Sequence, residues 1–451
     1  MQLGNVYMRD TDGNIPKASS GNVIENVCGL IFDISGQKDF WTKGAGLAIA
    51  DTWKDQVVEL NNLNEAVEAG ITPFTGETET KEDGGESVTI SKDLLAGIPY
   101  YHIKQHYDRI GGQGRLFVMF ADCSANWNAI IEMQRAANGV IFQIGVWTEQ
   151  HLWTKPDASA STYTVNIVND LDRVATELAD DYFSPTQIIL CANTSKVKVG
   201  NTTQNTIAIS QIPSCVVKAR YVSVLLSQSM TDEVRKMQAS LDSTTPVGAL
   251  GLALGTIALA GVGECIGWVG RFDAVQFAPA IEMGFGDSTI ADGHLTNSTS
   301  YSALTKGQLN ALSEAGYIFL RTFEGYEGHV YFANDHTCSD GDFCTIARNR
   351  AINKSRRLVR MALLPYVNSP IKVDPANGNL QSGQVATFEG LVRTPLEAME
   401  TAEEISGIAF VTVPAEQNIL VTKTLKLSYG LVPMGCAEII DVTEGLYVSQ
   451  Q

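Results

Sequence analysis

The chain has 451 residues, 44% of them hydrophobic and 18% charged, a balance that describes a folded protein and excludes a disordered one. It carries 50 acidic against 32 basic residues, for a formal charge of -18. That argues against a nucleic-acid partner, because phosphate binding is led by Lys and Arg.

The length exceeds one simple core and points to two or three domains. Residues 1–20 read as an extended arm, polar and broken by Gly4, Gly13 and Pro16, with one apolar trio of Val6, Tyr7 and Met8. No basic stretch followed by an apolar one opens the chain, so no secretion signal is expected. NVIENVCGLIFDISG then alternates before turning continuously apolar, as a strand does on entering a core. Gly44 and Gly46 lack the third glycine and following helix of a dinucleotide loop. Leu63 to Gly70 reads as a short helix and Thr75 to Glu86 as an acidic, glycine-containing loop.

Tyr100 to Arg109 is predicted to be an amphipathic helix, stopped by the GGQG at 111–114, with a buried strand over Leu116 to Phe120. His102 and His106 stand at i and i+4, a spacing that can ligate a metal. No third ligand or HExxH glutamate accompanies them, so a partly exposed helix face is expected. Helix and strand then alternate. Helices are expected at Asn128 to Ala137, Ile167 to Ala179 and Thr231 to Leu241, and strands at Gly139 to Val146, Gln187 to Cys191 and Tyr221 to Leu226. Such alternation argues for an α/β layer on a largely parallel sheet.

Pro246 to Gly263 is eighteen uncharged residues, near the length of a membrane span. Its five glycines, its early proline, Glu264 at its end and the lack of flanking basic residues favour a buried helix. There Gly251 and Gly255 would allow close packing on a sheet. The eight cysteines, at 28, 123, 191, 215, 265, 338, 344 and 436, are scattered and mostly lie in apolar runs. They suit reduced, buried thiols in a cytoplasmic setting. Cys338, Cys344 and His336 are near one another but lack the closer pairs of a zinc site.

Gly316 to Tyr366 is the stretch around which the rest is organised. Tyr317 to Phe323 and His329 to Ala333 read as strands, Thr337 to Asp342 as a turn, and the remainder as a long helix stopped by Pro365. From Phe343 to Val373 there is no acid, yet Arg348, Arg350, Lys354, Arg356, Arg357, Arg360 and Lys372 fall there. Ile352, Val359 and Leu363 give the helix an apolar face, with Arg350, Lys354 and Arg357 elsewhere on its surface. A solvated basic face is one reading of that line. Contact with an acidic surface, either a partner protein or the helix bearing Glu397, Glu400 and Glu404 in an adjacent subunit, is the other. Gln384 to Ser406 reads as that acidic helix, split or restarted at Pro395. Ile408 to Val413 and Lys423 to Tyr429 read as strands, and PMGCAEIIDVTEGLYV as a last strand and tail ending in Leu446, Tyr447 and Val448.

No P-loop, GxSxG elbow or HExxH is present, and no cofactor or metal site is assigned. The sequence does resemble contractile tail sheath proteins of phages and related injection systems. The similarity lies in GGQGRLFVMF with its preceding helix, in LTKGQLNALSEAGYIFLR, in the basic RNRAINKSRRL helix and in KTLKLSYGLVPMGCAEIIDV, in that order. Residues 41 to 95 and the glycine-rich segment after Pro246 depart from the pattern.

This resemblance implies a multi-domain α/β and α+β fold, with an inner domain built from the N-terminal strand and the C-terminal part. An outer α/β domain would be inserted between them. The expected divisions are an arm at 1–20, the α/β part at 21–300, the inner domain at 301–435 and a terminal strand and arm at 436–451. It further implies a structural subunit, assembled in the bacterial cytoplasm, that stacks as hexameric rings around an inner tube and contracts to drive the tube through a membrane. Neighbouring subunits, the tube, baseplate and terminator proteins would be its partners, without nucleic acid or membrane insertion. Val6 to Met8, the basic line and the tail would make the contacts. A non-contractile tube or shell protein, and a Rossmann-like enzyme, are the alternatives.

Overall fold

The structure, a computed structural model, describes residues 26–35, 55–76, 78–83, 86–91, 94–200, 202–204, 209–226, 228–229, 234, 237, 247–278, 282–283, 299–301 and 304–445. Val6, Tyr7, Met8, Leu446, Tyr447 and Val448 lie outside these residues, as does most of the helix expected at Thr231 to Leu241.

Strand β1 (Cys28–Asp33) is an inner strand of the main sheet, with all six residues buried. Cys28, Leu30 and Phe32 enter one apolar cluster and Ile31 enters another on the opposite face. Side chains alternate with period two, so a strand covered on both faces reads as continuously apolar. After β2 (Val58–Leu60) and the short helix α1 (Leu63–Glu68), a hairpin forms from β3 (Thr78–Asp83) and β4 (Glu86–Ser91). The acidic loop expected there is therefore paired strands.

The alternating part follows as α2 (Leu94–Ile110), β5 (Leu116–Ala121), α3 (Ala129–Ala136), β6 (Gln143–Lys155), β7 (Thr164–Val165) and α4 (Val168–Asp180). It continues with β8 (Gln187–Val199), β9 (Thr202–Gln204), β10 (Val222–Leu225), β11 (Gln228–Ser229) and the buried helix α5 (Leu250–Leu259). Then come β12 (Glu282–Met283), β13 (Thr299–Ser300), α6 (Lys306–Glu314), β14 (Tyr317–Ile318), β15 (Leu320–Phe323) and β16 (Tyr326–Phe332).

The main sheet has the order β14-β10-β8-β6-β1-β5-β2, with β7 on β6 and β9 on β8. From β14 to β5 every neighbouring pair is parallel, and β2 closes one edge antiparallel. The sheet continues past the division expected at residue 300, because Tyr317 and Ile318 pair with Val224 and Leu225.

Helices α2 and α5 cover one face of the sheet and α3 and α4 the other. Gly251 and Gly255 bring α5 against α2: a Cβ at Gly251 would meet the His102 carbonyl, and one at Gly255 would lie 2.9 Å from the His106 oxygen. His102 and His106 are fully buried in this seam, correcting the partly exposed face expected for them. The helix opposite them presents glycine, so the backbones approach closely enough to exclude water. No helix among the described residues is long and apolar enough to cross a membrane.

A third cluster organises the C-terminal lobe, made of α7 (Ile346–Leu363), α8 (Ser382–Thr401), β17 (Gly407–Thr412), the single turn α9 (Ile419–Thr422) and β18 (Ser428–Val432). Pro395 does not divide α8. Val392 before it and Leu396 and Met399 after it are buried in the same core, which holds both halves in line. The strand expected from Lys423 begins at Ser428, and residues 433–445 form no strand.

Candidate assembly surface

Thr345 caps α7 by accepting a hydrogen bond from the Arg348 amide at 3.3 Å. The helix then lies across the amino ends of the parallel strands, and its cations face inward. Arg350 donates to the carbonyls of Ala260 and Gly261, at 3.1 and 3.0 Å, just past the end of α5. Helix C-termini leave carbonyls unpaired, and a guanidinium satisfies them. Arg356 donates to the Tyr221 hydroxyl at 2.7 Å and to Asp180 Oδ1 at 3.0 Å. Arg357 donates to the carbonyls of Gly139, Ile141 and Pro185 and stacks 4.2 Å over Phe142. These acceptors precede β6, β8 and β10.

Lys354 is 1% exposed and donates to Glu404 Oε1 of the same chain at 2.5 Å. Burial raises the Glu404 carboxyl above its ordinary range, and Lys354 and Arg350 oppose that shift. The readings of Arg350, Lys354 and Arg357 as a solvated face, or as a contact with an acidic neighbour, are both overturned. These side chains form a buried seam between the two lobes. Arg350 and Lys354 are nearly fully enclosed and Arg357 is half-buried. Helical spacing located the cations but not the direction they face, because their acceptors are mostly backbone carbonyls, which carry no sequence signature.

Of the acids expected to join them, Glu404 does so within the chain, while Glu397 and Glu400 remain exposed on α8. This lobe also exposes several large apolar side chains. Strands β17 and β18 pair only with each other among the described residues. Beside them, Leu420 and Val421 are exposed. The segment after β18 is tied down as far as Glu438, whose carboxylate meets His336 Nε2 at 3.3 Å. Burial disfavours protonation of His336, but Glu438 and the Ser313 carbonyl outweigh it and raise its pKa. Beyond that tie, Ile439 and Ile440 are 85% and 81% exposed, and Val442 is exposed as well. The sequence predicts a terminal strand here. Its apolar pattern is that of a strand, yet no partner strand lies within the described residues.

The place where a doubly wound sheet would hold a ligand is filled. The chain leaves β1 to one side for β5 and crosses back to β6, so the carboxyl end of β1 is a topological switch point. Asp33 stands there, buried. It accepts from the Ser35 and Cys123 amides at 2.9 and 3.0 Å, from the Thr148 and Ser35 hydroxyls at 2.6 and 2.8 Å, and from Gln150 Nε2 at 2.9 Å. A carboxylate has about four lone-pair sites, so this one is saturated by its own chain. His336 is held by Ser313 and Glu438, and the Cys338 thiol lies against Cys215 rather than Cys344. Among the described residues, no group of three or more His, Cys, Asp or Glu is placed to hold a metal.

The chain belongs to the DUF2586 family, with residues 31–336 matching the family's N-terminal domain and 342–451 its C-terminal domain. The seam between the two falls in the turn that precedes α7. No curated protein matches the chain in sequence. Among solved structures, a chain of the anti-feeding prophage helical sheath in its contracted state aligns over 99% of both chains, at 11% identity and a TM-score of 0.52. The fold is thus that of a contractile sheath subunit. A chain of the anti-feeding prophage baseplate aligns over 99% of this chain and 100% of its own, at 13% identity and a TM-score of 0.49. The sheath tail protein of Desulfitobacterium hafniense aligns over 96% and 100%, at 10% identity and a TM-score of 0.41.

Proposed function

We propose that the chain is a structural subunit of a contractile tail sheath, polymerising as stacked hexameric rings around an inner tube and contracting to drive it through a membrane. The observation that carries this reading is the exposed Ile439, Ile440 and Val442, in a lobe whose strands β17 and β18 pair only with each other among the described residues. Isolated chains do not leave such segments in water without a use, and strand addition by a second copy covers both the apolar side chains and the free backbone groups. The full-length fold agreement with a contracted sheath supports the same assignment.

In this reading the C-terminal lobe lies toward the tube and the sheet lobe outward. Residues 1–20, with Val6, Tyr7 and Met8, and residues 436–451, with Leu446, Tyr447 and Val448, link subunits. Glu397 and Glu400 face a neighbouring subunit or the tube. Baseplate and terminator proteins bound the polymer, assembly takes place in the bacterial cytoplasm, and the chain performs no catalysis.

Electron microscopy of the chain expressed with its tube protein tests this. Helical sheaths of two lengths, extended and contracted, are expected from the intact chain, and a folded monomer from a chain lacking residues 439–451. Polymers of a single length would favour a non-contractile tube, and undiminished polymerisation of the truncated chain would refute the linking role of the tail.

A further inference from the structure

The base of the C-terminal tail runs along the turn that follows α5. Gly263 leaves room for Met434, since a Cβ there would lie 2.7 Å from Met434 Cγ. Four residues on, Glu438 is held by His336. Between these two anchors Cys436, exposed, lies against Cys265, half-buried. Cys265 Sγ also accepts from the Gly267 amide at 3.4 Å, which fixes its rotamer toward the tail. The two cysteines come from distant parts of the sequence and share no spacing motif, so only the fold pairs them.

We propose that Cys265 and Cys436 are a disulfide-forming pair, closed by a low-molecular-weight disulfide such as oxidised glutathione, and that the bond staples the tail base to the turn after α5. The Cys265 thiol beside it lowers the Cys436 thiol below its usual range, and the same contact, together with burial, raises Cys265. Cys436 is therefore both the more accessible and the more thiolate-like sulfur, the two properties that select an attacking thiol. Its thiolate attacks one sulfur of the oxidant and releases one thiolate of the reagent. Cys265, giving its proton to the neighbouring Asp335 carboxylate, then attacks Cys436 Sγ and releases the second. Two protein thiols are oxidised to one disulfide, and one reagent disulfide is reduced to two thiols. A reducing thiol pool keeps the pair open and an oxidising medium closes it. Cys215 and Cys338 also touch, but both are fully buried and out of reach of the reagent.

The proposal stands apart from the sheath reading and is tested on the soluble full chain. Incubation with oxidised glutathione, acid quenching and digestion without reduction should yield a peptide pair joined through Cys265 and Cys436, two hydrogens lighter than its reduced parts. Iodoacetamide labelling should be lost at both positions while Cys215 and Cys338 stay reduced. Cleavage by added protease between residues 433 and 438 should slow about tenfold or more, because the stapled segment opens less often. Cys436→Ser, a change at an exposed site, should abolish the joined peptide and the protection together. Glutathione persisting on Cys436 beside a free Cys265, a Cys436 bond to a second chain, or no reaction at Cys436 would each overturn the pairing.

Discussion

Lys354 of α7 and Glu404, just beyond α8, meet at 2.5 Å in a site where the lysine side chain is 1% exposed. Removing one member of a buried ion pair strands the other charge, at a cost of about 3–5 kcal/mol, whereas replacing both with apolar groups is often close to neutral. Lys354→Met should therefore lower the urea midpoint sharply, and Lys354→Met with Glu404→Leu should recover most of the loss. Equal destabilisation by the single and double changes would mean that the pair contributes by packing alone.

The neighbouring Arg357 should be intolerant even of lysine. Its planar guanidinium reaches three carbonyls and stacks on Phe142, and an ammonium can reproduce neither that fork nor the stacking. Arg357→Lys is expected to cost about 1.5–3 kcal/mol, the range for hydrogen bonds to a charged group, read as a shift in thermal midpoint. Charge reversal at Arg350, Lys354 or Arg357 would unfold the seam before it reported on assembly, so those changes are poor probes of the polymer.

The histidines of α2 give a pH dependence. Burial lowers His102 to about 3 and His106 to about 4, from an ordinary 6.5. Both are neutral in the fold and protonate when it opens, so their contribution is present above pH 6.5 and is lost as pH falls toward those values. Each adds a slope of about 1.4 kcal/mol per pH unit over its own window. Thermal midpoints measured from pH 7 to 4 should fall, and His106→Leu should flatten the curve. A midpoint independent of pH across that range would place these rings in contact with water.

Gly251→Ala should be among the most damaging single changes, because the added carbon meets a backbone carbonyl that cannot rotate aside. A loss of at least about 1–3 kcal/mol is expected. Gly390→Ala, on the open face of α8 with nothing within 4 Å, should instead stabilise by about 0.5–1 kcal/mol. Denaturant titration of the two variants separates packing from helix propensity.

Ile439→Asp with Ile440→Asp should leave the monomer within about 0.5 kcal/mol of the parent, as exposed sites do. The same pair should prevent polymer growth in sedimentation. A polymer that forms normally would place the tail outside the contacts between subunits.

Much of this fold was legible in the sequence. The apolar runs of β1 and β5, the burial of α5 and the boundaries of α4 follow from period and composition, which are local properties, but Gly251 and Gly255 open a seam with helix α2 and not with the sheet as expected. The direction of α7 was not legible, because the acceptors of Arg350 and Arg357 are carbonyls supplied by the ends of other elements. Pro395 misled for a related reason: a core shared by both halves of α8 overrides a local break. Exposure of Ile439 and Ile440 was equally hidden, since an apolar run that stays exposed has the same pattern as a strand paired within its own chain.

The inner place of β1 in the sheet bears on how the chain is made. Cys28 and its neighbour Gln143 on β6 are 115 residues apart. At roughly 5–20 residues per second of synthesis, the buried residues of β1 wait on the order of ten seconds before both flanking strands, β5 and β6, are available. Nascent chains of this protein are thus expected to lean on chaperones until β6 has emerged, and slow codons placed before Gln143 would lengthen that exposed interval.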